Sequence, residues 1–304
     1  MPTRHSLKSF LLATSVALAL TAPIAVSETP DDAVFNQFTA HAETSSYNVN
    51  YQAIGQFTNA FAQDERGRLK VAYSAVSGQG EKFLQRYVGY LENVPVNTLS
   101  RDDQLAYWLN TRNMLIVKAM ADSSSRRRMK ANRGTPDAPG SMWTDKLFMV
   151  GGIKMSINDI EQNIILANWS DTPNIIYGLY QGSQGGVSLP ADGFTGKAVH
   201  TELEAAGREF VNSRNGVRVR GKKAQLPEIY TWYSDELFGG DEQAVLTHVS
   251  GLAEPKTATK LAATTGVTSR KFSYSSDEFV IRQQAAPAGG FSRGAGAGAG
   301  GAGS

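Results

Sequence analysis

The chain has 304 residues, with 30 lysines and arginines against 28 aspartates and glutamates, so its formal net charge is only +2. A charge this close to zero argues against nucleic acid as the main partner, because such binding needs clustered positive charge. The absence of cysteine excludes disulfides, a thiolate nucleophile and cysteine metal sites.

The N-terminus has the pattern of a secretory signal peptide. Arg4 and Lys8 form a basic start, residues 10–20 form an uncharged apolar core, and Ala25 and Ser27 are small residues with the spacing of a cleavage site. The apolar core is too short to cross a bilayer as a permanent helix. We therefore predict cleavage after Ser27 and a periplasmic or secreted product without an integral membrane segment.

One predicted domain lies between a polar N-terminal segment and a C-terminal tail rich in glycine and alanine. After the signal peptide at residues 1–27, the polar residues 28–45 are expected to be loose. Residues 283–304 are rich in glycine and alanine and bury almost nothing, which predicts a disordered tail. Residues 46–282 mix helical patterns with short strand patterns and lack regular strand and helix alternation. This favours a single α+β domain with several helices and short strands or hairpins.

Apolar spacing and capping residues predict the elements of this domain. Ser100 and Asp103 have the spacing of a helix N-cap and its acidic third residue, and Pro227 suits a first helical turn. The predicted helices cover residues 81–91, 100–120, 156–169, 199–213 and 227–238. Predicted hairpins cover residues 147–157, around two glycines, and 215–223, with two arginines on one face. The apolar run at 175–179 is interpreted as a strand.

Two charged residues fall inside apolar stripes. Arg112 lies four residues after Trp108 on the helix at 100–120, and Glu161 lies among isoleucines on the helix at 156–169. Each could extend its charged end to solvent at the edge of its stripe. The alternative is a buried pair, because an unpaired buried charge costs several kcal/mol. In that case Arg112 and Glu161 floor a polar cleft, with Asn113 as a third member.

The run at 174–190 passes from apolar residues into a glycine-rich loop that contains Gln181 and Ser183. Such a change brings the backbone close to a ligand. Together with other blocks, this loop resembles the family known as domain of unknown function 547. The resemblance covers about residues 47–238, and its other blocks are QLAYWLNTRN at 104–113, MVGGIKMSINDIEQ at 149–162, AAGREFVN at 205–212 and LPEIYTWY at 226–233.

The resemblance implies a catalytic pair that this chain lacks. The family loop usually reads N-C-G-S-x-S-C-P, and the family motif that matches residues 149–162 ends with a histidine. This pair suggests a thiol hydrolase similar to papain or transglutaminase by analogy. Here Gln181 stands at the first cysteine, Gly186 at the second, and Gln162 at the histidine. Glutamine neither titrates nor attacks. We expect Gln162 and Gln181 to face each other, close enough to hydrogen-bond directly or through one water.

The residues therefore favour a degenerate cleft domain that binds a small molecule, a peptide or a protein, with no cofactor, no metal site and no catalytic residue. The alternative is a hydrolase with a relocated nucleophile such as Ser183, assisted by His200 near Asp192. The basic run at 126–133 is either solvated surface or a docking site. The predicted binding residues are Arg112, Asn113, Glu161, Gln162, Gln181 and Ser183.

Overall fold

The computed structural model describes residues 32–122 and 141–279. These residues pack around one hydrophobic core that extends from Phe35 to Leu261, which confirms a single mixed α+β domain. The predicted signal peptide, the basic run at 126–133 and the glycine-rich tail lie outside the described residues. Within the described ranges, no helix is long and apolar enough to cross a membrane.

The N-terminal half is mostly helical. A 3-10 helix at Asp32–Thr39 precedes α1 (Gln52–Phe61), the antiparallel strands β1 (Ala62–Asp64) and β2 (Leu69–Val71), and α2 (Gln79–Glu92). Phe35 and Phe38 of the 3-10 helix are buried. The expectation of a loose segment at 28–45 is therefore wrong for residues 32–39, where two aromatic side chains hold a polar stretch against the core.

Helix α3 (Arg101–Ala121) is the central element, and it follows the predicted helix at 100–120. Its N-cap is Ser100, whose side chain accepts a hydrogen bond from the Asp103 amide. Every residue from 104 to 117 is buried, so α3 is surrounded by protein rather than amphipathic. This explains how polar residues such as Arg112 and Asn113 come to lie in the core.

Glu161 and Gln162 lie on a helix whose central segment is π-helical. After α4 (Ser141–Thr144) and the hairpin β3 (Phe148–Val150) to β4 (Ile153–Met155), a continuous helix runs from Ile157 to Trp169; we call it α5. Ser156 and Asp159 form a capping box at its start. Its segment Ile160–Leu166 is π-helical and carries Glu161 and Gln162. Such wide turns are frequent at functional sites.

The hairpin predictions agree with the structure. Gly151 and Gly152 have φ angles of 58° and 81°, which fits the tight turn between β3 and β4. The second hairpin joins β5 (Arg218–Arg220) to β6 (Lys223–Pro227), and β7 (Val267–Arg270) adds to β6 in parallel. Helix α6 (Val199–Asn212) matches the predicted helix at 199–213.

Two predicted elements are wrong. The apolar run at 175–179 is not a strand, because Pro173–Tyr177 forms a 3-10 helix with Pro173 at its start. A short apolar run does not distinguish a buried strand from a buried helical turn. The helix expected at 227–238 divides into α7 (Ile229–Trp232) and α8 (Ser234–Phe238). Pro227 ends β6 instead of opening the helix, since its segment pairs with β7.

Helices α9 (Glu242–Leu252) and α10 (Pro255–Ala262) complete the core and place His248 against Tyr177. The His248 Nε2 lies 3.1 Å from the Tyr177 hydroxyl, and the two rings stack at 5.7 Å. The Phe238 ring packs edge-on against the imidazole. Desolvation lowers the pKa of His248 to about 4, from an ordinary 6.5.

The lowered pKa of His248 predicts that the folded protein loses stability in acid. Below pH 6.5 the unfolded chain protonates His248 while the folded protein does not, so His248 lowers stability progressively as the pH falls from 6.5 towards 4. His248→Gln should remove this part of the pH dependence, measured as free energy of unfolding in urea between pH 7.5 and 4.5. His41→Gln, at an exposed histidine that contacts the Thr39 carbonyl, is the control and should follow the wild type. Parallel wild-type and His248→Gln curves would contradict the assignment.

Candidate functional site

Arg112 and Glu161 form a buried ion pair between α3 and the π-helical part of α5. The Arg112 Nε and Nη2 atoms lie 2.7 and 2.5 Å from Glu161 Oε2. Arg112 is 0% exposed and Glu161 is 5% exposed. The pairing predicted from the two apolar stripes is therefore present, and extension of either charge to solvent is not.

Further hydrogen bonds satisfy the rest of this pair. Arg112 Nη1 donates to the Asn113 side chain at 3.1 Å and to the Tyr180 carbonyl at 2.7 Å. The Tyr233 hydroxyl donates to Glu161 Oε1 at 2.8 Å. The Trp143 ring lies 5.6 Å from the Arg112 guanidinium, within cation–π range. A buried pair stabilises a fold only when it is hydrogen-bonded in this way.

Asn113 ties the same network to the glycine-rich loop. Its Nδ2 donates to the Gly178 carbonyl at 2.9 Å, and its Oδ1 accepts from the Tyr180 amide at 3.2 Å. Since Arg112 also binds the Tyr180 carbonyl, two adjacent residues of α3 fix the backbone at the entrance of the loop. We call residues 181–187 the site loop.

Gln181 occupies space that a side chain at position 186 would need. A Cβ atom at Gly186 would lie only 2.1 Å from Gln181 Oε1. That oxygen accepts a hydrogen bond from the Val187 amide at 3.3 Å. Gln181 Nε2 has no hydrogen-bond partner among the described residues. The glutamine therefore fills the interior of the loop, and glycine is the residue that leaves room for it.

The side chains of Gln162 and Gln181 both lie near the hydrogen-bonded pair of Glu161 and Tyr233. Gln162 Nε2 lies 3.4 Å from Glu161 Oε1, the oxygen that Tyr233 also binds. Burial raises the pKa of Tyr233 well above its ordinary value; Glu161 raises it further, while Arg112 and the neighbouring Gln181 amide oppose the shift. The structure gives no direct hydrogen bond between the two glutamines, and their contact through one water stays a prediction.

Five of the six predicted binding residues are buried, and Gln162 is half-buried. Within the described ranges Arg112 and Glu161 therefore lie in a buried polar network, and the polar cleft predicted above them stays a prediction. Helical periodicity located the two charges but could not show that the segment containing Tyr180, together with Tyr233 and Trp143, packs over them.

Ser183 is not arranged as a nucleophile. It is 2% exposed, and its hydroxyl donates to the Gln181 carbonyl at 3.3 Å. His200 lies 3.1 Å from Asp102, and His248 contacts Tyr177. His200 therefore pairs with Asp102, and not with Asp192 as a base for Ser183. Among the described residues, no three histidine, aspartate or glutamate side chains gather as metal ligands.

The open space lies on another side of the site loop, where sequence reasoning placed nothing. A cavity of about 1170 Å³ is bordered by the turn between β1 and β2, by residues 187–194 and by α6. Phe194 and Phe210 give it apolar walls, while Asp64 and Glu209 are among its charged residues. Desolvation raises the pKa of the Glu209 carboxyl above its ordinary value; Arg68 opposes the shift and Asp64 adds to it.

Arg68 connects the cavity to the site loop. Its Nη1 donates to the Gly186 carbonyl at 2.6 Å, and its Nη2 donates to the Ser183 and Val187 carbonyls at 2.8 and 3.2 Å. Its Nε binds Asp277 at 2.6 Å. The sequence analysis predicted no hairpin at residues 63–68, because this charged run lacks the apolar pattern of a strand. In the structure Arg66 and Gly67, both at positive φ, form a hairpin turn there.

The comparison with known proteins supports the family resemblance over part of the chain. Residues 96–211 match the family model described as "Protein of unknown function, DUF547". These residues are similar to that family. This range includes the blocks at 104–113 and 149–162 and the site loop, but it excludes the block at 226–233. No curated protein and no solved structure matches the chain, so the analogy with papain and transglutaminase stays a prediction.

The buried pair of Arg112 and Glu161 predicts strongly non-additive mutations. Arg112→Ala should destabilise the protein by about 3 kcal/mol or more, because it leaves Glu161 buried without its partner. Arg112→Met combined with Glu161→Leu should recover much of that loss. Denaturant melts of the single and double variants measure both quantities. Small and additive effects would show that water solvates both charges.

Proposed function

We propose that this chain is an exported, non-catalytic binding domain that takes its ligand in the cavity beside the site loop. This proposal rests on the cavity, which combines apolar walls with charged groups and borders a loop that has Gln181 and Gly186 where the family resemblance implies cysteines. Cavities of this size with a few polar groups are typical ligand sites. Arg112, Asn113, Glu161 and Gln162 then support the loop from behind, and Gln181 and Ser183 belong to the loop itself.

Two carboxyl groups of the cavity, Asp64 and Glu209, favour a ligand with an apolar body and a cationic group, although Arg66 and Arg214 also line the cavity. Arg68 lines the cavity, but its guanidinium already binds Asp277 and three loop carbonyls. Lys70 pairs with Glu65 at 2.7 Å. Asp64 and Glu209 face the same space, and their mutual repulsion contributes to the raised pKa of Glu209. A ligand cation between them would relieve that repulsion and favour the ionised carboxylate.

A hydrolase that uses Ser183 has less support. The Ser183 hydroxyl is buried and directed at a backbone carbonyl, whereas a serine nucleophile needs a base within hydrogen-bond reach. Glutamine at positions 162 and 181 removes the chemistry that the family resemblance implies. A domain that binds a ligand without catalysis needs neither a nucleophile nor a base.

Matched amphiphiles test the ligand class. We expect a medium-chain alkylamine to raise the Tm of the mature protein more than the alcohol or carboxylate of equal length, since binding to the folded state alone stabilises it. Ala206→Trp, which fills the cavity from α6, should abolish the shift, and Glu209→Gln should weaken binding of the amine about tenfold. Glu204→Gln, on the same helix but paired with Arg208, should not.

Two outcomes would contradict this assignment. A Tm shift that survives Ala206→Trp would place the ligand elsewhere. Equal shifts from the amine, the alcohol and the carboxylate would mean that Asp64 and Glu209 do not select the ligand.

Export has its own test. The basic start, short apolar core and small residues before position 28 support removal of residues 1–27. The intact mass of protein recovered from the periplasm or medium should correspond to a chain that begins at Glu28. Recovery with Met1 still attached, or only in the membrane fraction, would refute this processing.

A further inference from the structure

The segment after β7 runs along the site loop as an added strand. The Gln184 and Gly185 amides donate to the Ser275 and Ser273 carbonyls at 2.8 and 2.9 Å. The Asp277 amide donates to the Gly182 carbonyl at 3.0 Å. Ser183 and Ser276 form an antiparallel bridge between the two segments. We call residues 271–279 the strap; it lies outside the range that matches the family.

Side chains fix the strap at both ends. At one end, Phe272 packs against Trp232 with ring centroids 4.6 Å apart, and Tyr274 packs against Phe272 at 4.9 Å. At the other end, Asp277 is 0% exposed and accepts a hydrogen bond from Arg68. Gly185 permits the close approach, because a Cβ there would lie 2.5 Å from the Ser273 nitrogen.

The middle of the strap is weakly held. Ser275 and Ser276 carry no apolar side chain to bury, so backbone hydrogen bonds dominate between the aromatic end and Asp277. Ser276 Oγ and Asp277 Oδ1 are buried without a hydrogen-bond partner among the described residues, as is Gln181 Nε2 of the site loop. Buried polar atoms without partners favour opening, since water satisfies them once the strap leaves. Segments with little apolar burial open before the core.

We propose that the site loop and Arg68 form a binding site for an extended peptide of a partner protein, which the chain's own strap fills in the closed state. Backbone groups of residues 182–185 pair with any extended segment, as in strand addition to a sheet edge. Selectivity comes from Arg68, which takes an aspartate, and from Trp232, which takes an aromatic residue five positions earlier. This site is separate from the cavity ligand and does not require it.

Hydrogen exchange on the wild-type mature protein tests the opening. The Asp277 amide, which donates to Gly182, and the Phe279 amide, which donates to Val71, should exchange at least about a hundredfold faster than the slowest amides of α3. Exchange of the strap only together with α3 would show that the strap is an integral part of the core, and would overturn the proposal without any mutation.

Binding in trans is tested with a labelled peptide of residues 271–279. Asp277→Ala in the full mature chain weakens the strap, so this variant should bind the peptide at least tenfold more tightly than the wild type does, by fluorescence anisotropy. A peptide that carries Asp277→Asn should bind at least tenfold more weakly. Glu236→Ala, which removes an exposed carboxylate of α8 away from the strap, should bind as the wild type does.

The result that overturns the proposal is specific. If the Asp277→Ala protein stays folded, as judged by circular dichroism, and binds both peptides equally or neither, then Arg68 does not select an aspartate in trans. If the variant does not fold, the exchange rates of the wild type decide alone.

Discussion

The architecture around the site loop depends on one buried charge pair, Arg112 with Glu161. Placing these charges in the core costs several kcal/mol for each ion, and only complete hydrogen bonding offsets that cost. The pair achieves this through Tyr233, the Tyr180 carbonyl and the Asn113 amide. Tyr233 and Tyr180 join other parts of the chain to α5 and α3, and Asn113, next to Arg112 on α3, extends the network to the Gly178 carbonyl. The pair thereby fixes the direction in which the chain enters the site loop.

This dependence explains how the loop keeps its form with glutamines at the positions where the family resemblance implies a histidine and a cysteine. The ion pair lies behind the positions where the family resemblance places a histidine and a cysteine, and neither of those residues belongs to it. Gln181 fills the interior of the loop against Gly186, and Gln162 joins the Glu161 carboxylate. Substitution at the reactive positions leaves the supporting contacts intact. A scaffold can thus persist while its function changes, and function must be argued from the residues present.

The sequence predicted features that depend on local spacing. Ser100 and Ser156 mark helix starts, and the charges at 112 and 161 interrupt apolar stripes strongly enough to predict their pairing. The sequence could not predict which residues pack over Arg112 and Glu161, because that packing depends on contacts between segments far apart in the chain. The strap and the turn that carries Arg68 are polar and short, so no periodic signal distinguished them from solvated loops. The open cavity was missed for the same reason.

Arg68 links the two proposed sites physically. Its side chain borders the cavity while its guanidinium binds both the strap and three carbonyls of the site loop. Opening of the strap removes Asp277 from Arg68 and leaves a cation without its carboxylate beside Glu209. That cation would attract the Glu209 carboxylate and compete with a cationic ligand. Strap opening and ligand binding should therefore oppose each other, and linkage requires the effect to be equal in both directions.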